Sequence, residues 1–100
     1  MTRLTFTPRA RRDLDRLTEF LAPTDTAAAD ATVDVIVDAL LVLELQPRIG
    51  RPTSRRYREL VIHRGQTGYV ALYRVSADET WVEVLGIRHQ RESGYHPRDL

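Results

Sequence analysis

The hydrophobic positions change period twice along the chain. Leu4 and Phe6 stand between Arg3, Thr5 and Thr7, a two-residue repeat that predicts a short strand over residues 2–7. Thr7-Pro8 reads as a helix start. Threonine is a favoured N-cap, and proline at the first helical position loses no hydrogen bond. Ala10, Leu14, Leu17 and Leu21 follow at helical spacing. Arg9, Arg11, Arg12, Asp13, Asp15 and Arg16 are then expected largely on the outer face. Pro23 ends this helix, and Thr24 or Asp25 caps the next. The second apolar stripe is Ala29, Val33, Ile36, Leu40 and Leu43, widened by Val37 and Leu41, and Pro47 stops it. Asp30, Asp34 and Asp38 recur every four residues on another face, as a solvated face does. The short link Pro23-Thr24-Asp25 makes the two helices an antiparallel hairpin.

Residues 46–56 are rich in proline and glycine and read as a loop. Three β-rich runs follow, over residues 57–63, 69–75 and 80–88. A Gly65/Gly68 turn separates the first two and an Ala77-Asp78-Glu79 turn the last two. Short connections between consecutive strands predict an antiparallel meander. The order is strand, helix, helix, strand, strand, strand. It predicts a single α+β domain over residues 1–100, with a helix hairpin packed on one face of a mainly antiparallel four-stranded sheet.

Composition narrows the setting. The chain has no cysteine, so it has neither a disulfide framework nor a thiolate metal site, as fits a reducing cytoplasm. The apolar run from Val33 to Leu45 is broken by Asp34, Asp38 and Glu44, so it does not span a bilayer. The N-terminus carries no leader-like pattern, and a cytoplasmic location is expected. All 15 basic residues are arginine, and their distribution is uneven. Residues 22–47 hold five acids and no base, whereas residues 48–74 hold seven arginines and one glutamate. A two-sided molecule is expected. Its basic side, Arg48, Arg51, Arg55, Arg56, Arg58 and Arg74, suits bidentate contact with phosphate or carboxylate.

Candidate chemistry gathers where the last strand ends. The apolar residues Val82, Val84, Leu85 and Ile87 give way to Arg88, His89, Gln90, Arg91 and Tyr95. A strand that delivers polar groups at its exit sets a site on a rigid support. His89, between two arginines, is the acid–base candidate, because imidazole alone titrates near neutral pH. Arg88 and Arg91 offer cations to a phosphate or to an acidic partner. Tyr69, Tyr73 and Trp81 read as packing residues. His63 reads as structural and His96 as inert. The three histidines lack the spacing of a helical metal pair, so no metal and no cofactor are expected.

The chain resembles the RelE/ParE superfamily of toxins from type II toxin–antitoxin modules. The resemblance rests on the element order and on Pro47-Arg-Ile-Gly-Arg-Pro52, Arg58-Glu-Leu-Val-Ile62, Gly68-Tyr-Val-Ala-Leu-Tyr-Arg74 and Ile87-Arg-His-Gln-Arg-Glu-Ser-Gly-Tyr95. It implies a cognate antitoxin as partner. It also implies one of two activities: RelE-like cleavage of mRNA in the ribosomal A site, or ParE-like poisoning of DNA gyrase without a nuclease site. A RelE-like catalytic set would be Arg88, His89, Arg91 and Tyr95. Binding of target or antitoxin would fall to Arg48, Arg51, Arg55, Arg56, Arg58, Arg74, Arg88 and Arg91. RelE-like members place an arginine directly after the Gly-Tyr of the middle strand, where this chain has Val70. That departure favours the gyrase-directed branch. A degenerate toxin that serves only as an antitoxin-binding partner is a third reading.

Overall fold

The computed structural model describes residues 1–21, 26–64 and 67–91. β1 (Arg3–Phe6) leads into α1 (Pro8–Leu21) and α2 (Thr26–Leu41), which a 3₁₀ turn over Val42–Glu44 follows. Four strands follow among the described residues: β2 (Arg51–Pro52), β3 (Arg58–Arg64), β4 (Thr67–Val75) and β5 (Trp81–His89). They join β1 in one sheet of order β1-β5-β4-β3-β2. β1 runs parallel to β5, and the other three pairings are antiparallel. The helices cover one face, where Ala10, Leu17, Ile36 and Leu40 pack on Ile62, Tyr73, Val84 and Ile87. The expected two-layer α+β architecture is present.

The sheet has five strands where the sequence predicts four. The fifth is β2, two residues of the arginine-rich loop that pair with Arg58 and Glu59. Proline donates no ladder bond, and an edge strand tolerates that. The predicted helix up to Pro47 stops at Leu41. There the backbone tightens: Leu45 and Gln46 both donate N–H to the Val42 carbonyl (3.0 and 2.9 Å), and the Glu44 carbonyl accepts from Thr2 (3.0 Å). Leu43 stays fully buried, but Leu41 turns outward at 44 % exposure instead of widening the stripe. Thr7 caps α1 as expected, its Oγ1 accepting from the Ala10 N–H at 3.1 Å. Asp30, Asp34 and Asp38 are exposed. The expectations for Pro23, Thr24, Asp25, Gly65, Tyr95 and His96 fall outside the described residues, as do the side chains of Leu21 and Ala29.

Two further departures shape the site. Gly68 lies within β4, not in the turn, and pairs with His63. A Cβ there would meet the end of the exposed Gln90 side chain, which can turn aside. In β5 the ladder with β4 slips: Leu72 faces Gly86 while Tyr73 faces Val84, which leaves Leu85 without a partner. This is a β-bulge. Leu85 is half-buried rather than a core residue, and Val84 and Ile87 both reach full burial.

Asp13 is the clearest correction on the helices. It is expected on the outer face but is only 5 % exposed. β1 pairs with β5 only as far as Phe6 and Val84, so beyond that point the β5 edge has no strand beside it. Side chains of the Thr7–Arg16 segment take the strand's place. Thr7 Oγ1 donates to the Leu85 carbonyl (3.1 Å), Asp13 Oδ2 accepts from the Ile87 N–H (2.8 Å), and Arg16 Nη2 donates to the Ile87 carbonyl (3.4 Å). Buried backbone groups need partners, and here α1 supplies them.

Candidate functional site

The bulge at Leu85 decides how the end of β5 presents its polar residues. It shifts the side-chain phase by one, so Ile87 and His89 follow Val84 onto the helix-covered face and Arg88 turns to the open face. The contacts agree with this register. His89 meets Tyr69, a core residue, edge to face, with ring centroids 5.4 Å apart at 83°. Its Nδ1 accepts the Arg91 N–H at 3.1 Å, which places the imidazole proton on Nε2. Arg88 sits on the other side, opposite Val70, which is 3 % exposed. The two groups expected to form one catalytic cluster therefore leave the strand on opposite faces. Arg91 is exposed beside His89, and Tyr95 lies outside the described residues.

Arg88 is held, not loosely extended. Its Nη2 lies 3.7 Å from Glu59 Oε2, with both side chains under one-fifth exposed. Its Nη1 donates to the carbonyls of His89 and Gln90 at 3.3 and 3.4 Å. The other Glu59 oxygen stands 3.6 Å from Arg51 Nη2. Glu59 thus joins Arg51 and Arg88 across β2, β3 and β5 on the open face. Farther along that face Arg74 pairs with Glu83, through Nε at 2.9 Å and Nη2 at 2.8 Å. Its guanidinium also lies 5.2 Å from the Trp81 ring centre, within cation–π range. Glu59 and Glu83 are acids that the sequence reading missed. Their signal is alternation: each stands next to residues of the opposite face, so each must share a face with the arginines.

The rest of the predicted basic surface is elsewhere. Arg48, Arg55, Arg56 and Arg58 line an open cleft with Ser54 and Tyr57. The cleft lies where β3 begins and β4 ends, whereas Arg88 and His89 lie where β4 begins. Six strand residues separate these ends, or about 20 Å. Arg58 Nη1 donates to the carbonyls of Gly50 (2.7 Å) and Arg48 (3.0 Å), and Arg48 Nε stands 3.3 Å from Glu79 Oε2.

Below the cleft, the buried Tyr73 hydroxyl accepts the Gly50 N–H at 2.8 Å. Burial raises the Tyr73 phenol above its ordinary value, opposed by the Gly50 hydrogen bond and by the nearby Arg58 and Arg48 charges. Tyr73 is therefore an anchor for the loop as well as a packing residue, and a Cβ on Gly50 would strike its ring. Among the described residues, no group of His, Asp and Glu could hold a metal ion.

The family model described as "ParE toxin of type II toxin-antitoxin system, parDE" matches residues 4–94. Toxin RelE3 of Caulobacter vibrioides is 40 % identical over 85 residues, covering 85 % of this chain and 90 % of that protein. Among solved structures, the fold matches a chromosomal ParDE toxin–antitoxin system from P. aeruginosa at TM-score 0.73, with 24 % identity over 89 % of this chain and 96 % of that one. It matches the toxin–antitoxin complex RelBE2 of Mycobacterium tuberculosis at 0.62, with 28 % identity over 89 % and 98 %. A mutant of E. coli RelE in the free state matches at 0.59, with 17 % identity over 86 % and 80 %, a likeness of fold. With a family model covering nearly its whole length and a close relative of the same kind, the chain belongs to the ParE/RelE superfamily of type II toxin–antitoxin toxins.

Proposed function

We propose that this toxin arrests growth by binding DNA gyrase, without cutting RNA, and that a cognate antitoxin neutralises it in the cytoplasm. The observation that carries this reading is the divergence of Arg88 and His89. Cleavage of a phosphodiester needs cations and a proton-transfer group around one phosphate, each within hydrogen-bond reach. Here Arg88 is tied to Glu59 on the open face while His89 packs on Tyr69 behind the sheet. The position across from Arg88 holds buried Val70, not a further cation. Loss of one such group typically lowers a rate by about 10²–10³. A binding poison makes no such demand. It needs a firm surface, and the open face with Arg51, Arg74 and Arg88 locked by Glu59 and Glu83 is one. The antitoxin reading draws on the solved relatives that are toxin–antitoxin assemblies.

Induced expression without the antitoxin, with translation and DNA breaks followed in parallel, tests this. DNA breaks and filamentation ahead of any fall in translation are expected. Arrest of translation first, with mRNA cut between codon positions, would establish the RelE-like alternative that the name of the Caulobacter relative suggests.

A further inference from the structure

The cleft between β2 and β3 has no part in the reading above, and half of the residues that line it are arginines. We propose that it is a phosphate-binding site that grips a nucleic-acid backbone. Four arginines line it: Arg48, Arg55, Arg56 and Arg58. No acid occurs between residues 48 and 58. The acids that do reach this loop are spoken for at its margins, Glu79 on Arg48 and Glu59 on Arg51. Arg55 and Arg56 are exposed at the hairpin tip, and among the described residues no carboxylate is paired with either. Three or four like charges held together are costly unless an anion joins them, and a phosphate oxygen array accepts the guanidinium fork in bidentate fashion.

The cleft is also built, not merely charged. Ser54 Oγ accepts the N–H groups of Arg56 and Tyr57, both at 3.2 Å, and the Tyr57 carbonyl accepts from Thr53 N–H at 3.0 Å. These bonds fix the turn that carries Arg55 and Arg56. Arg58 is fixed by two loop carbonyls, and Tyr73 pins the loop to the sheet through Gly50. The backbone needs little ordering on binding, so the cost falls on the exposed Arg55 and Arg56 side chains. Tyr57, half-buried in the wall, offers an aromatic face beside the charges, as nucleic-acid grooves do. That ring favours a nucleic acid over an acidic peptide. The site stands about 20 Å of strand from the Arg88 end, and it is independent of which target the toxin attacks.

The test uses the purified full chain and labelled 12-mer probes: single-stranded RNA, duplex DNA and a poly-glutamate peptide, each titrated at several salt concentrations. Variant R55Q/R56Q removes two charges from the cleft. Variant R11Q/R12Q removes two from the exposed face of α1. Nucleic-acid binding should weaken at least tenfold in R55Q/R56Q and change less than threefold in R11Q/R12Q. The logarithmic salt slope of R55Q/R56Q should fall by about 1.4 for RNA or about 1.8 for duplex DNA, for two lost phosphate contacts. Inorganic phosphate should compete, and the tighter of the two nucleic acids names the source. Unchanged urea midpoints show that the variants fold. Equal losses in both variants would overturn the proposal as diffuse attraction. Tighter binding of poly-glutamate than of either nucleic acid would overturn it in favour of an acidic protein segment, and failure to bind any probe would overturn it outright. None of these readouts involves gyrase, so the target proposed above stands or falls separately.

Discussion

Replacing Asp13 with alanine should be among the most damaging single changes on α1, although the residue sits among exposed charges in the sequence. Asp13 is 5 % exposed, and its Oδ2 accepts the buried Ile87 N–H at 2.8 Å. Alanine removes a hydrogen bond to a charged acceptor and strands that N–H where β1 no longer reaches it. A loss of this kind costs about 2–3 kcal/mol. Arg9 and Arg16 lie 3.5 and 3.8 Å from the same carboxylate, but each is at least one-third exposed, so these pairs add less than about 1 kcal/mol. Asp13→Asn keeps an acceptor oxygen and should cost about 1 kcal/mol. Urea unfolding followed by circular dichroism measures both. The Asp13→Ala midpoint should fall by about 0.7–3 M at an unchanged slope, given slopes of about 1–3 kcal/mol per M for small domains. Equal effects of alanine and asparagine, or an alanine cost within about 0.5 kcal/mol as at ordinary surface sites, would refute the claim that α1 stands in for a missing strand.

Ile87→Ala should cost about 2–5 kcal/mol in the same urea assay, because it empties a fully buried site; Leu85→Ala, at the half-buried bulge, should cost under about 2 kcal/mol. Tyr73→Phe leaves the Gly50 N–H without its acceptor and should cost about 1–3 kcal/mol at neutral pH. The raised Tyr73 phenol also has a pH signature. Its contribution is fully present below the unfolded value of about 10 and is lost as pH rises through the higher folded value, so Tyr73→Phe should flatten the alkaline limb of stability against pH. His89→Ala should cost about 0.5–1.5 kcal/mol through the lost contact with Tyr69, and toxicity on induced expression should stay within severalfold of the parent.

The order of elements was legible because period and punctuation agree: Thr7-Pro8 caps α1, and the strands alternate where β3 and β4 pair. The fifth strand was not legible, since two residues carry no period. The bulge was not legible either. Val84, Leu85 and Ile87 are all apolar, so composition is the same whether or not the phase shifts. Only the ladder with β4 reveals the shift, and the shift decides that Arg88 takes the open face and His89 the helix-covered one; as neighbours in a strand they alternate in either case. Alternation alone separates Arg88 from His89, and the cluster reading holds only if the strand ends before them, whereas β5 runs through His89. The burial of Asp13 depends on where β1 ends relative to β5, a long-range fact without a local signal. The arginine loop was read correctly as basic. Its division into a cleft at one end and a Glu59-bridged pair on the open face needed the register.

The open sheet face is proposed to bind DNA gyrase, with no RNA cut. The most direct measurement adds the purified chain to gyrase and supercoiled plasmid in one reaction and to translating ribosomes on a defined mRNA in another. Accumulation of gyrase–DNA cleavage complexes, full-length mRNA, and loss of the gyrase effect in Arg88→Ala with retention in His89→Ala are expected. Intact gyrase activity together with ribosome-dependent mRNA cleavage that His89→Ala abolishes would contradict the proposal.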